Sequence, residues 1–249
     1  MNPASWTRVQ RRGQAVCALL CTAALATAWP MGVAAEGRFE DQTHEAPPTN
    51  APVHHRTGVW GTSHSHSLLS WVRLTGDNLA LPFMVIDKTA ATATVYSGRG
   101  TLIGTAPVLV GWAIGDGSVP GIGTKRLQDI LPTERTTPAG RFPSALGRNL
   151  AGGEILWIDY EGAVSMHPVA THNIKERRAQ RLASPSAADN RISYGCVNVS
   201  GAFFRSVVVP AFQAKGGIVY VLPEIQSMAQ TFGDHWQAGS SVAEAERSD

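Results

Sequence analysis

The chain has 249 residues, 43% of them hydrophobic and 16% charged, with a formal net charge of +2. This composition excludes a wholly disordered chain, and the length holds one or two domains around a sizeable core. The near-balanced charge gives no footprint for a nucleic-acid partner, and no repeat or heptad sets the architecture.

Residues 1–12 carry Arg8, Arg11 and Arg12 and no acid, and the apolar stretch 14–35 ends in Val33-Ala34-Ala35. A positive start, an apolar middle and a small-x-small end read as a secretory signal peptide over 1–35. The apolar core is shorter than the ~20 residues of a spanning helix, so no stable membrane insertion is expected after cleavage. Cleavage removes three arginines and turns the net charge from +2 to −1. It also removes Cys17 and Cys21 and leaves Cys196 alone. In an oxidising compartment a cysteine without a partner in its own chain is an intermolecular link, a working thiol or an inert buried residue.

Residues 36–67 read as a flexible linker, with Ala46-Pro47-Pro48, Ala51-Pro52 and no apolar periodicity. His64 and His66 lack a cysteine or acid at ligand spacing, so a solvated segment is expected there rather than a metal site. The globular pattern starts at Leu68 and runs to 225. Strands are predicted over 83–87, 92–96 and 102–110, with turn signals between them. The glycine-rich 111–123 has neither dinucleotide nor Walker spacing and reads as a loop. A turn at 136–142 enters another strand, 155–160 and 163–169 form a hairpin about Glu161-Gly162, and 218–222 is a final buried strand.

Helices are few. Residues 173–182 carry a basic face, and 200–212 has Ser200 as N-cap with Phe203, Phe204, Val207 and Val208 at helical spacing. The tail 226–249 is polar and expected to be dispensable for the fold. The fold class is mainly β with a few helices.

Cys196 sits in Ser193-Tyr194-Gly195-Cys196-Val197-Asn198, before the predicted helix start. Closeness to a helix N-terminus favours thiolate, and Gly195 leaves room for a substrate carbonyl beside main-chain N–H groups. A nucleophilic thiol needs a base. Val164 and Met166 alternate with Ala163, Ser165 and His167, which puts His167 on a small, polar strand face. Pro168 holds His167 extended. His167 is the favoured base, with His172 as the alternative.

These residues resemble the signature of L,D-transpeptidases with a YkuD-type catalytic domain: a histidine, a spacer, then Ser/Thr-His-Gly-Cys, a hydrophobic residue and Asn or Arg. Thr137-Pro138-Ala139-Gly140-Arg141-Phe142 is similar to that family's Thr-Pro-x-Gly-x-Phe segment, and the likeness runs from about 82 to 224. The resemblance implies a β-sandwich-like catalytic domain in the periplasm or cell envelope. It implies an enzyme whose cysteine attacks a peptidoglycan stem tetrapeptide, expels D-Ala and passes the acyl group from a thioester to an amine, without cofactor or metal. His167 is then the base, and the Ser193–Cys196 turn with Asn198 supports the oxyanion and the thiol. A carboxypeptidase or wall-protein-releasing hydrolase would use the same nucleophile, and a wall-binding module would keep the cleft without chemistry.

Two departures stand out. Tyr194 replaces the family's histidine, and 25 residues (168–192) separate His167 from Ser193. The basic stretch 175–181 within this spacer is expected to contact stem-peptide carboxylates through Lys175, Arg177, Arg178 or Arg181.

Overall fold

The computed structural model describes residues 63–233 and Trp236. The predicted signal segment 1–35 and the greater part of the linker 36–67 lie outside them. In chain order the elements are helix α1 (Ser63–Thr75), β1 (Phe83–Asp87), β2 (Thr92–Tyr96), β3 (Leu102–Pro107), β4 (Val110–Gly111), β5 (Gly140–Arg148), β6 (Glu154–Asp159) and β7 (Val164–Pro168). Then follow α2 (Arg178–Ala183), β8 (Arg191–Ser193), β9 (Val197–Val199), helix α3 over 201–212, β10 (Gly217–Val221) and α4 (Met228–Phe232). Helix α3 is α-helical over Gly201–Phe203, widens to a π turn over Phe204–Val208 and returns to α over Val209–Phe212. Pro210 lacks the N–H that would tighten the turn before it.

Eight strands pair in the order β3-β2-β1-β10-β5-β6-β7-β9, and β4 pairs with β8. The β1–β10 and β7–β9 contacts are parallel, and the other neighbours in the large sheet are antiparallel. Strand β5 joins two half-sheets: residues 140–144 pair with β10, and 145–148 pair with β6. The inner faces of the halves share one core. Met84, Ile86, Val95, Val219 and Val221 come from one half, and Leu156, Val164, Met166, Val197 and Val199 from the other. Helix α3 adds Phe203, Phe204, Val208 and Phe212. The arrangement is mainly β and sandwich-like, as expected.

The other face of β1 and β10 is also covered, so both strands are buried along their whole length. Phe83, Val85, Ile218 and Tyr220 pack there against Leu68, Trp71 and Val72 of α1 and Met228 of α4. Double burial is what a parallel pair normally has, and it explains why these strands are continuously apolar. Each large side chain so buried contributes about 1.5–3 kcal/mol.

Two predicted boundaries move. Helix α1 begins at Ser63, inside the segment read as linker, and carries His64 and His66 exposed on its surface. Helix α4 lies inside the segment read as dispensable tail, and its Phe232 packs at 6.3 Å against Trp71. The predicted strand 102–110 divides into β3 and β4, and the predicted helix 173–182 divides as well. A 3-10 turn, Ile174–Glu176, ends at Arg177 in the left-handed region (φ 51°), and α2 restarts after it. No helix among the described residues is long and apolar enough to cross a membrane.

Candidate active site

The alternation of β7 splits its side chains as predicted. Val164 and Met166 enter the core, while Ser165 and His167 line a cleft of ≈ 480 Å³. Strand β9 lies parallel to β7, with His167 opposite Asn198. The turn between β8 and β9 carries Cys196. The parallel pairing therefore delivers Cys196, His167 and Asn198 to one place, although 28 residues separate His167 from Cys196 in sequence. The cleft is also lined by Ser193, Tyr194, Arg178 and His172.

The imidazole is held on both sides. His167 Nδ1 lies 2.9 Å from Pro168 O and donates to it; Nε2 lies 3.1 Å from Asn198 Nδ2. The Cys196 side chain lines the same cleft as this ring and acts on its charge. With Nδ1–H engaged by a carbonyl, the lone pair of the neutral ring is on Nε2. Burial alone would push the His167 pKa down, but the bond and charge of Cys196 and the bond to Pro168 O outweigh it and raise the net value. The nearby Arg178 charge opposes that rise. Sγ also approaches Ser165 Oγ at 3.8 Å and Ala163 O at 3.9 Å.

The nucleophile turn is pinned by hydroxyls. Ser193 Oγ donates to Cys196 O at 2.6 Å and accepts Gly195 N–H at 3.1 Å. Gly195 N–H is thereby withdrawn from the oxyanion role foreseen for this turn. Thr137, 1% exposed, donates to Gly195 O at 2.8 Å and accepts Gly111 N–H at 2.9 Å. Gly195 has φ +126°, and a Cβ there would lie 2.7 Å from Thr136 O, so glycine is required on both counts.

Beneath the turn lies a buried ionic network. Lys88 Nζ, 1% exposed, donates to Gly115 O (2.6 Å), Asp116 Oδ1 (2.7 Å) and Thr137 O (3.0 Å). Asp116 accepts the backbone N–H groups of Glu224, Ile225 and Gln226. Glu224 pairs with Arg191, two residues before Ser193. Nothing local marks Lys88 or Asp116 in the sequence, because each looks like an ordinary loop charge until the pairing is known. Thr137 was visible only through the Thr-Pro-x-Gly-x-Phe segment.

Two expectations change. Cys196 is not at a helix N-terminus: β9 intervenes, and α3 starts roughly 16 Å of extended chain later at about 3.3 Å per residue. Ser200 does cap α3, its hydroxyl accepting from Phe203 N at 3.1 Å. The basic stretch does not offer a common cationic face. Arg178 turns inward, pairing with Glu176 and donating to Asn198 Oδ1 at 2.8 Å. Arg181 donates to the carbonyls of Glu176 and Asp189. Lys175 and Arg177 are exposed and do not line the cleft. His172 is exposed on the cleft wall, whereas His167 is held by Pro168 O and Asn198 beside the thiol. Tyr194 forms a wall of the cleft with its ring under the Arg135 guanidinium, 3.9 Å from centroid to carbon. Among the described residues no group of three His, Cys, Asp or Glu side chains is placed to hold a metal.

No family profile matches the sequence, and no curated protein matches it significantly. Solved structures do. The L,D-transpeptidase from Mycobacterium smegmatis aligns at 16% identity and TM-score 0.33, over 57% of this chain and 58% of that one. The catalytic domain of the E. faecium L,D-transpeptidase aligns at 17% and 0.33, over 56% and 95%. The helical cell shape determining protein Pgp2 from Campylobacter jejuni aligns at 16% and 0.40, over 72% and 61%. The match thus spans little more than half of the mycobacterial protein. At these values the likeness is too loose to transfer a residue or an activity.

Proposed function

We propose that the chain is an exported cysteine acyltransferase of the L,D-transpeptidase type, acting on peptidoglycan stem peptides through a thioester. The observation that carries the reading is one open cleft lined by a thiol and by an imidazole whose Nδ1 is fixed by a carbonyl, with the parallel pairing of β7 and β9 bringing them together. That is the arrangement of an activated nucleophile. The stem-peptide substrate comes from the sequence motif around Cys196.

Chemistry follows from the atoms. His167 Nε2 accepts the proton of Cys196 Sγ as sulfur attacks the carbonyl carbon before the terminal D-Ala. The C–N bond breaks, the imidazolium returns its proton to the leaving amine, and a thioester remains. An acceptor amine then attacks the thioester, giving its proton to Nε2, and the thiolate is reprotonated. A placed general base of this kind supplies about 10²- to 10⁴-fold. The Pro168 carbonyl keeps the ring from rotating between the two proton transfers. Gly195 N–H is engaged by Ser193, so oxyanion stabilisation falls to the remaining donors around the turn.

Incubating the full chain with a stem tetrapeptide, with and without an amine acceptor, tests the reading by mass spectrometry. A cross-linked product that requires both Cys196 and the acceptor supports it. Tripeptide alone makes the protein a carboxypeptidase-type hydrolase, and unaltered substrate leaves a wall-binding module.

A further inference from the structure

The spacer between His167 and Ser193 brings Arg178 onto Asn198, and its chemistry decides how Asn198 faces the base. An asparagine amide is nearly symmetric in shape, so its orientation is set by its partners. A guanidinium has donors only. Arg178 Nη1, 2.8 Å from Asn198, therefore selects the oxygen on its own side. Arg178 is itself clamped by Glu176, and Asn198 is 0% exposed, so water cannot offer the amide another arrangement. The Asn198 nitrogen is left pointing at His167 Nε2, 3.1 Å away. A nitrogen facing an N–H must carry its lone pair, so the ring proton sits on Nδ1 and goes to Pro168 O.

We propose that Arg178 is a positioning residue that, by holding the Asn198 amide oxygen, turns the Asn198 N–H onto His167 Nε2 and so reinforces the Nδ1–H tautomer that the Pro168 carbonyl favours. A second effect follows. Protonation of Nε2 sets N–H against N–H, and Asn198 cannot turn over while Arg178 holds its oxygen. The relay therefore opposes the imidazolium and keeps the base able to accept a proton from sulfur. The thiol of Cys196 pulls the other way. Other charged or titratable groups around the ring are Glu176 beside Arg178, and Glu154, His172 and Tyr194, which line the same cleft. Arg178 thus acts through Asn198 on the base, not on substrate carboxylates. Only the kinetic consequence rests on the transferase reading; the tautomer does not.

The test is a long-range proton–nitrogen NMR titration of the full chain with nitrogen-15-labelled histidine, read without substrate. The wild type should show neutral His167 with its proton on Nδ1. Arg178→Met should free Asn198 to turn its oxygen toward Nε2, which raises the Nε2–H share against the Pro168 bond and moves the His167 titration to higher pH. Arg178→Lys, which keeps the charge and a donor, should retain the wild-type tautomer. In turnover, Arg178→Met should shift the acid limb of kcat/KM to higher pH and lower kcat about ten- to a hundredfold at its low end, with KM little changed. Should Arg178→Met fail to fold, Asn198→Ala tests the same relay by the same tautomer signal. A wild-type ring protonated on Nε2, or a tautomer and titration unmoved by both variants, overturns the inference. A raised KM with an unmoved tautomer would instead make Arg178 a substrate ligand. A shifted tautomer in a protein that transfers no acyl group would sink the transferase reading and leave this one standing.

Discussion

Thr137→Val probes the hydroxyl that ties the nucleophile turn to the loop beneath it. Valine keeps the shape and removes two hydrogen bonds, those to Gly195 O and from Gly111 N–H. The site is 1% exposed, so water does not readily replace them. Each stranded backbone group costs about 1–3 kcal/mol, so the expected loss is about 2–6 kcal/mol if both stay dry. At 2–4 °C per kcal/mol for a domain of this size, Tm should fall by roughly 4–24 °C. Thr137→Ser restores both bonds and forfeits one methyl group, and should lose about 1 kcal/mol. Thermal unfolding by circular dichroism gives the first readout. The second is the rate at which iodoacetamide alkylates Cys196, followed by peptide mass spectrometry. Loosening the turn should change that rate in the valine variant and not in the serine variant. If valine and serine behave alike in both assays, the hydroxyl does not hold the turn.

Other outcomes follow from the same geometry. Lys88→Met leaves the Asp116 carboxylate buried without its cation, while Glu224 keeps Arg191, and should lose about 3–5 kcal/mol in chemical denaturation. Gly195→Ala brings a Cβ against Thr136 O at φ +126° and should destabilise by about 1–3 kcal/mol, visible as a lower Tm. Burial acts to raise the Asp116 carboxyl, but its bonds to Lys88 and to the N–H groups of Gln226, Glu224 and Ile225 hold it below the usual carboxylate range. A depressed pKa contributes stability that is full above the unfolded value and lost as pH falls through the folded one. Unfolding free energy should therefore drop below about pH 4, and Asp116→Asn should be less stable at neutral pH and flatter across that range.

Most strands were legible because burial and alternation leave a direct mark. The runs 83–87 and 92–96 coincide with β1 and β2, and the His167 face was readable from Val164 and Met166 alone. Helix α1 was missed because its Leu68, Trp71 and Val72 stripe is short and preceded by polar residues. Its stability comes from docking on β1 and β10, which no local pattern reveals. Strands β8 and β9 have three residues each and exist through partners distant in sequence. Missing β9 placed Cys196 at a helix end. The basic stretch was misjudged for a similar reason. Arg177 breaks the helix, and pairing partners such as Glu176 and Asn198 turn Arg178 inward.

The central claim is that the sulfur of residue 196 accepts an acyl group with help from the imidazole of residue 167. Intact-protein mass spectrometry after mixing the full chain with stem tetrapeptide, with peptide mapping of the adduct, measures this directly. The account predicts a tripeptide acyl adduct on Cys196 that hydroxylamine removes, and that forms at least about a hundredfold more slowly in His167→Asn. An adduct on another residue, or one that forms at the same rate without the imidazole, would contradict it.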